Sequence, residues 1–257
     1  MSTENRQQAV IVSGGGSGIG RAAALRLAAD GLAVLVVDTE GEAAAATADA
    51  ICAAGGTSTA VVADVAVSSD CQRAVAAAGA LGRLHALVNV AGVMVADDTV
   101  EALDDAELDR VLAVNVGGIF RLGRHAIPEL RKAGGGVIVN TASVHAYASM
   151  DRCAAYAASK GAIVALTRQM AIDLAVDGIR VVAVAPGSVD TPLTRRELER
   201  RGVTAADAGF GTSHAELGRV LQSDEIAAVI SWLVSDAARA INGETVVADA
   251  GLLARLV

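Results

Sequence analysis

The stretch A-V-I-V-S-G-G-G-S-G-I-G, residues 9 to 20, is an apolar run that breaks into glycine and then resumes as alanine-rich sequence. Residues 9 to 13 read as a strand, and residues 18 to 29 carry the composition of a helix. A strand that turns straight into a helix leaves the first helical amides unpaired and pointing at the turn. Those amides and the helix dipole favour an anionic group. Gly14, Gly18 and Gly20 supply a tight turn, close backbone approach to a pyrophosphate and close helix packing, with Ser17 and Ile19 between them. The loop has no Lys-Ser/Thr ending, so it is not the phosphate loop of a nucleoside triphosphatase.

The same alternation continues outward. Strands are expected at 9–13, 33–38, 59–64, 86–89, 137–141, 181–185 and 245–249. Helical segments are expected at about 18–29, 41–53, 70–79, 105–132, 154–176 and 223–235. Most strand runs are continuously apolar rather than alternating, as fits a sheet covered by helices on both faces. The expected fold is therefore α/β: a single-domain, doubly wound Rossmann fold with a seven-stranded, mostly parallel sheet over residues 1–257.

Composition agrees. The chain of 257 residues is 53% hydrophobic and only 2% aromatic, so packing rests on Ala, Val, Leu and Ile. A net charge of -8 and the absence of basic runs argue against a nucleic-acid partner. No apolar span is long enough for a membrane helix, and Cys52, Cys71 and Cys153 form neither a disulfide framework nor a metal site. These features fit a cytoplasmic protein. His85, His125 and His214 are scattered without metal-ligand spacing, so no metal is expected.

Asp38 stands at the end of the second expected strand, 18 residues beyond Gly20. A carboxylate there can accept from both ribose hydroxyls of an adenine nucleotide and would repel a 2'-phosphate, which favours NAD over NADP. Capping of the strand end is the plainer reading of the same residue. Asp64 ends the third expected strand and can accept from the adenine amino group, with Val65 packing on the ring.

The stretch Y-A-A-S-K, residues 156 to 160, places Tyr156 and Lys160 four residues apart, on one face of an expected helix. An ammonium beside a phenol favours phenolate and is expected to lower the tyrosine pKa. Such a phenol can exchange a proton with an alcohol or a carbonyl. Ser143 follows the fifth strand and can hold the same substrate oxygen. Asn115, a polar residue in an apolar helical run, needs partners if buried; a water or a backbone carbonyl near Lys160 would serve. Asn89 is another strand-end polar residue.

The ordered set resembles the short-chain dehydrogenase/reductase family along nearly the whole chain. It comprises the glycine loop, N-V-A-G (89–92), Asn115, Ser143, Y-A-A-S-K (156–160), P-G (186–187) and I-N-G-E-T-V-V-A-D-A-G (241–251). The resemblance implies that Tyr156 is the general acid/base and that Ser143 orients the substrate. It implies that Lys160 tunes the tyrosine and binds the nicotinamide ribose, while Asn115 holds a proton-relay water. It assigns Gly14, Ser17, Gly18, Ile19, Gly20, Asn89, Ala91 and Gly92 to the dinucleotide. Asp38 becomes the NAD-selecting acid, and Pro186, Gly187, Val189 and Thr191 line the nicotinamide side. A homotetramer is also implied. Two departures stand out: Val90 replaces the second Asn of the usual N-N-A-G, and Ser13 stands where Thr is usual.

Residues 190–216 are expected to roof the pocket, with charged sequence before Gly209 and Gly211; a mobile lid and a plain solvated helix read equally well. His145 either reaches the substrate or bonds within its loop. Met94, Val95, Met150 and Cys153 are expected to give an apolar wall. The expected activity is reversible hydride transfer between NAD and a small secondary alcohol or ketone. Two alternatives remain: an NADH-linked 3-oxoacyl thioester reductase, and an NAD-sensing binding protein without turnover.

Overall fold

The computed structural model describes residues 7–95, 99–202, 204 and 218–254. Seven strands form one sheet: β1 (Gln8–Ser13), β2 (Ala33–Asp38), β3 (Ser58–Val62), β4 (Arg83–Asn89), β5 (Gly136–Thr141), β6 (Ile179–Pro186) and β7 (Thr245–Ala248). Their order is β3-β2-β1-β4-β5-β6-β7, and every pair is parallel. Parallel strands need crossovers, and helices supply them. These are α1 (Gly18–Ala29), α2 (Gly41–Ala53), α3 (Ser68–Leu81), α4 (Asp105–Asn115), α5 (Gly117–Lys132), α6 (Ala154–Leu174), α7 (Pro192–Arg201) and α8 (Ser223–Val234).

The continuous apolar runs follow from burial on both faces. Successive side chains on a strand point to opposite sides. Val10, Val12, Val34, Val36, Val88 and Val139 pack on one side with α1 and α8. Ile11, Leu35, Val37, Leu87, Ile138 and Val181 pack on the other with α3, α5 and α6.

Three expectations are corrected in detail. The helical segment at 105–132 is two helices, parted at Val116 just before Gly117 and Gly118, residues that cost helix stability. The third strand stops at Val62, so Asp64 sits in the following turn, where its side chain accepts from Ala66 N. The sixth helix ends at Leu174 and tightens into a 3-10 turn, Ala175–Asp177, stopped by Gly178 at φ 68°.

The sheet reverses its winding between β1 and β4, which opens a crevice at their carboxyl ends. Ser13 pairs in register with Asn89, and Asn89 with Asn140. The loops after β1 and β4 therefore meet directly above the switch point.

Burial of His85, on β4, pushes its imidazole below the ordinary value of 6.5. The unfolded chain then takes up the proton first as pH falls. Stability is expected to decline below about pH 6.5 and level off once the folded form protonates as well. In urea unfolding across pH 5 to 8, His85→Gln should flatten this limb; an equally steep limb in the variant would assign it elsewhere.

Candidate active site

The glycine turn is shaped by contacts that only glycine allows. Gly14 has φ 67°, and a Cβ there would stand 2.8 Å from Ala91 N. A Cβ on Gly20 would overlap the Gly14 carbonyl oxygen, so α1 could not start so close to the strand. Ser13 Oγ accepts from Val90 N and Ala91 N at 3.2 and 3.3 Å, bolting the turn to the loop after β4. The hydroxyl retained at Ser13 thus has a definite task. Ser17 is the N-cap residue of α1, but its side chain makes no capping bond.

Asp38 accepts from Gly16 N at 2.9 Å through Oδ2 and from Glu40 N at 3.1 Å through Oδ1. The carboxylate is therefore held by the same loop it faces. Gly16 was not singled out from sequence, although it lies within the glycine run.

Lys160 is 4% exposed, and its Nζ donates to Thr141 O at 2.8 Å. Burial pushes its pKa down to about 8. The ammonium lies 5.4 Å from the centre of the Tyr156 ring. Burial pushes the Tyr156 phenol up to about 12; a hydrogen bond with the Ser143 side chain opposes that rise, and the nearby Cys153 thiol adds to it. This reverses the expected downward shift. Burial penalises the phenolate more than its surroundings favour it.

Ser143 caps the 3-10 turn Val144–Ala146, accepting from His145 N at 3.2 Å. That bond occupies a lone pair and fixes the hydroxyl beside Tyr156. Asn115 is 1% exposed and bridges two elements. Its Oδ1 accepts from Val93 N at 2.8 Å, while Nδ2 donates to Val93 O and to Ser159 Oγ, both at 3.0 Å.

These groups share one cleft of about 730 Å³. Gly14, Ser17, Gly18, Ile19, Gly20, Asp38, Asp64, Val65, Ala91, Gly92, Ser143, Tyr156, Lys160, Pro186, Gly187, Val189 and Thr191 all line it. Asn89 and Asn115 stand behind the lining. Asn89 Nδ2 donates to Asn140 Oδ1 at 2.9 Å, and Asn140 Nδ2 to Thr167 Oγ1 at 3.0 Å, a polar chain inside the sheet. Met94, Val95, Met150 and Cys153 also lie outside the lining of this cleft. Cys153 is 2% exposed at the start of α6, where packing claims it. His145 is adjacent to the cleft without lining it: its ring stands edge-on to Tyr156 at 5.4 Å, and Nδ1 is 3.1 Å from Ser149 Oγ.

The roof comes partly from α7, which contributes Pro192, Leu193, Thr194 and Arg196. Thr191 starts that helix by accepting from Thr194 N at 3.1 Å. Arg195 pairs with Asp190 rather than with the helix glutamates. Residues 203 and 205–217, with Gly209, Gly211 and His214, lie outside the described residues. Sequence reading also missed Thr141 and Val114. Thr141 ends β5 and Val114 precedes Asn115, so adjacency was their only signal.

The cleft fits a dinucleotide: a glycine cradle with free helix-start amides, an acid at the end of β2, and a lysine–tyrosine–serine group beyond. Among the described residues, no cluster of His, Cys, Asp and Glu is placed to hold a metal, and no helix is long and apolar enough to cross a membrane.

Residues 14–253 match the family model described as enoyl-(acyl carrier protein) reductase. The chain belongs to the short-chain dehydrogenase/reductase family, an oxidoreductase family using nicotinamide cofactors. It is 35% identical over 250 residues to cyclohexanol dehydrogenase of Acinetobacter sp. (strain SE19), covering 97% of this chain and 96% of the relative. The crystal structure of 3-ketoacyl-(acyl-carrier-protein) reductase from Brucella melitensis complexed with NADH superposes with TM-score 0.84 at 34% identity, covering 97% of this chain and 99% of that one. A candidate NAD(P)-dependent gluconate 5-dehydrogenase from Beutenbergia cavernae with bound NADP gives TM-score 0.87 at 32% identity, covering 98% and 99%.

Because Lys160 is held well below its ordinary 10.5, its burial penalty is fully present below pH 8 and fades between pH 8 and 10.5. Lys160→Met should therefore stabilise the fold at pH 7 by about 1–3 kcal/mol, net of the orphaned Thr141 carbonyl. Urea unfolding at pH 7 and pH 10 checks this. A variant less stable at both values would mean that the lysine is not penalised by burial.

Proposed function

We propose that this chain is an NAD-dependent oxidoreductase acting reversibly on a small secondary alcohol or ketone, with Tyr156 as general acid/base. The observation that carries the reading is one cleft holding both a dinucleotide cradle and the Ser143–Tyr156–Lys160 group. When bound, the cofactor supplies the hydride-exchanging carbon and, in its oxidised form, a positive ring charge.

In ketone reduction Tyr156 donates its phenolic proton to the carbonyl oxygen while Ser143 holds that oxygen in place. The raised phenol pKa suits this direction, because the acid stays loaded. In alcohol oxidation the phenolate must accept the hydroxyl proton. Lys160 and a cation in the cleft favour that state. Asn115 keeps the loop after β4 and helix α6 together around the lysine, and the proton then leaves by way of Lys160.

NAD is favoured by Asp38, since no lining cation stands next to it in sequence and Thr39 and Glu40 follow. The lining cations are Arg110, Lys160 and Arg196, and Arg110 already pairs with Glu107. We read the chain as one catalytic unit with α7 as part of a substrate lid. Exposed Phe120, Ile172, Trp232 and Val247 support a homo-oligomer, a tetramer by family resemblance. Cys52, Cys71 and Cys153 form no disulfide among the described residues, which suits a cytoplasmic setting.

The test is initial NADH formation with a panel of cyclic and acyclic secondary alcohols, hydroxysteroids and 3-hydroxyacyl thioesters, and the reverse reaction with the ketones. Tyr156→Phe should lower kcat by roughly 10²–10⁴-fold. Asp38→Ser should narrow the preference for NAD over NADP. Turnover confined to thioesters would shift the reading to an acyl thioester reductase, favoured by the ketoacyl reductase likeness. NADP preference in the unaltered protein would overturn the role given to Asp38. Tight NAD binding with no turnover on any arm would favour a sensor.

A further inference from the structure

The break between α4 and α5 lies next to the catalytic group, and one side chain bolts it. In a continuous helix, the amides of Gly117, Gly118 and Ile119 would donate to the carbonyls of Ala113, Val114 and Asn115. Here Val116 N still reaches Leu112 O at 3.1 Å, but Ile119 N turns to Val116 O at 3.1 Å, which Phe120 N also reaches, at 3.4 Å, as the first regular bond of α5. The bonds that would claim those three carbonyls are not made.

Arg121 takes the first of them. Its Nη1 donates to Ala113 O at 2.9 Å. The side chain is half-buried and makes no ion pair among the described residues. It fits because Gly117 has no side chain: a Cβ there would overlap Arg121 Nη1. Gly118 is constrained on the other side, where a Cβ would stand 2.8 Å from Val65 Cγ2 in the cleft lining. A cation at the C-terminal end of α4 also meets the negative end of that helix dipole.

We propose that Arg121 is a positioning residue that holds this break open for catalysis. It acts through Asn115, the last residue of α4. With the break open, the Asn115 side chain stays on Val93 and Ser159, and its carbonyl remains outside the helical ladder. Without the guanidinium, Ala113 O has a ready replacement donor in Gly117 N. Making that bond would begin to wind α4 into α5 and turn Asn115 out of place. The catalytic half of this inference rests on the reading of Tyr156 and Lys160 given above; the structural half does not.

The experiment separates the two. Amide hydrogen exchange in the cofactor-free protein reads the break directly. Arg121→Met should slow exchange at Gly117 and Gly118 by roughly tenfold or more, as those amides gain helical partners. Arg121→Lys, which keeps a donor and a charge, should remain close to the unaltered protein. Gly117→Ala, which displaces the guanidinium, should reproduce the methionine variant and serves in its place if that variant does not fold.

Steady-state rates with the best substrate of the panel read the second half. In Arg121→Met, kcat should fall roughly tenfold while the cofactor KM stays within about twofold. A solvent isotope effect on kcat should grow, and Arg121→Lys should restore the rate. Unchanged exchange at Gly117 and Gly118 would overturn the proposal whatever the rates do. Changed exchange with undiminished kcat would leave Arg121 a structural staple and overturn the positioning role. An unaltered protein that turns over nothing would remove the catalytic role together with the functional reading, while the exchange result would still decide who holds the break.

Discussion

A buried ammonium that donates to a strand-end carbonyl, Lys160 Nζ to Thr141 O, is the constraint on which the site depends. Burying a lysine is unfavourable, and its pKa falls to about 8 because burial disfavours the charged form. The bond ties α6 to the end of β5, and that tie sets everything nearby. It places Tyr156 one turn above on the same helix and Ser143 two residues beyond the accepting strand end. Burial also brings the lysine's pKa down to about 8, a range in which an ammonium can give up its proton.

The same economy of contacts governs the other half of the cleft. The sheet reverses between β1 and β4, and at that seam two loops approach so closely that only a glycine fits. Ser13 Oγ satisfies the two amides of the facing loop, and Gly16 N steadies Asp38. The glycine turn and the Ser143–Tyr156–Lys160 group thus meet at the carboxyl ends of neighbouring strands.

Much of this was legible in the sequence, for physical reasons. Strand positions followed from continuous apolar runs, which two-sided burial imposes. The glycine loop, Asp38, Ser143, Tyr156 and Lys160 were legible because each sits at a strand end or at helical spacing. What escaped depends on tertiary environment. The break at Val116 is a contest between helix propensity and a guanidinium reaching over Gly117. The direction of the Tyr156 shift depends on burial, which i,i+4 spacing does not report. Met94, Val95, Met150 and Cys153 do not line the described cleft, and proximity in sequence to a site residue does not say which way a loop turns. Asn89 was correctly read as a polar strand-end residue, yet its bond runs sideways into the sheet toward Asn140.

The central claim is that burial holds the Tyr156 phenol protonated and that charge brought into the cleft releases it. A spectrophotometric titration of tyrosinate tests this most directly, because the chain has only two tyrosines and Tyr147→Phe leaves Tyr156 alone. The account predicts ionisation near 12 in the cofactor-free protein and a clear downward shift when NAD is added. Ionisation at the ordinary tyrosine value without cofactor, and indifference to NAD, would contradict it.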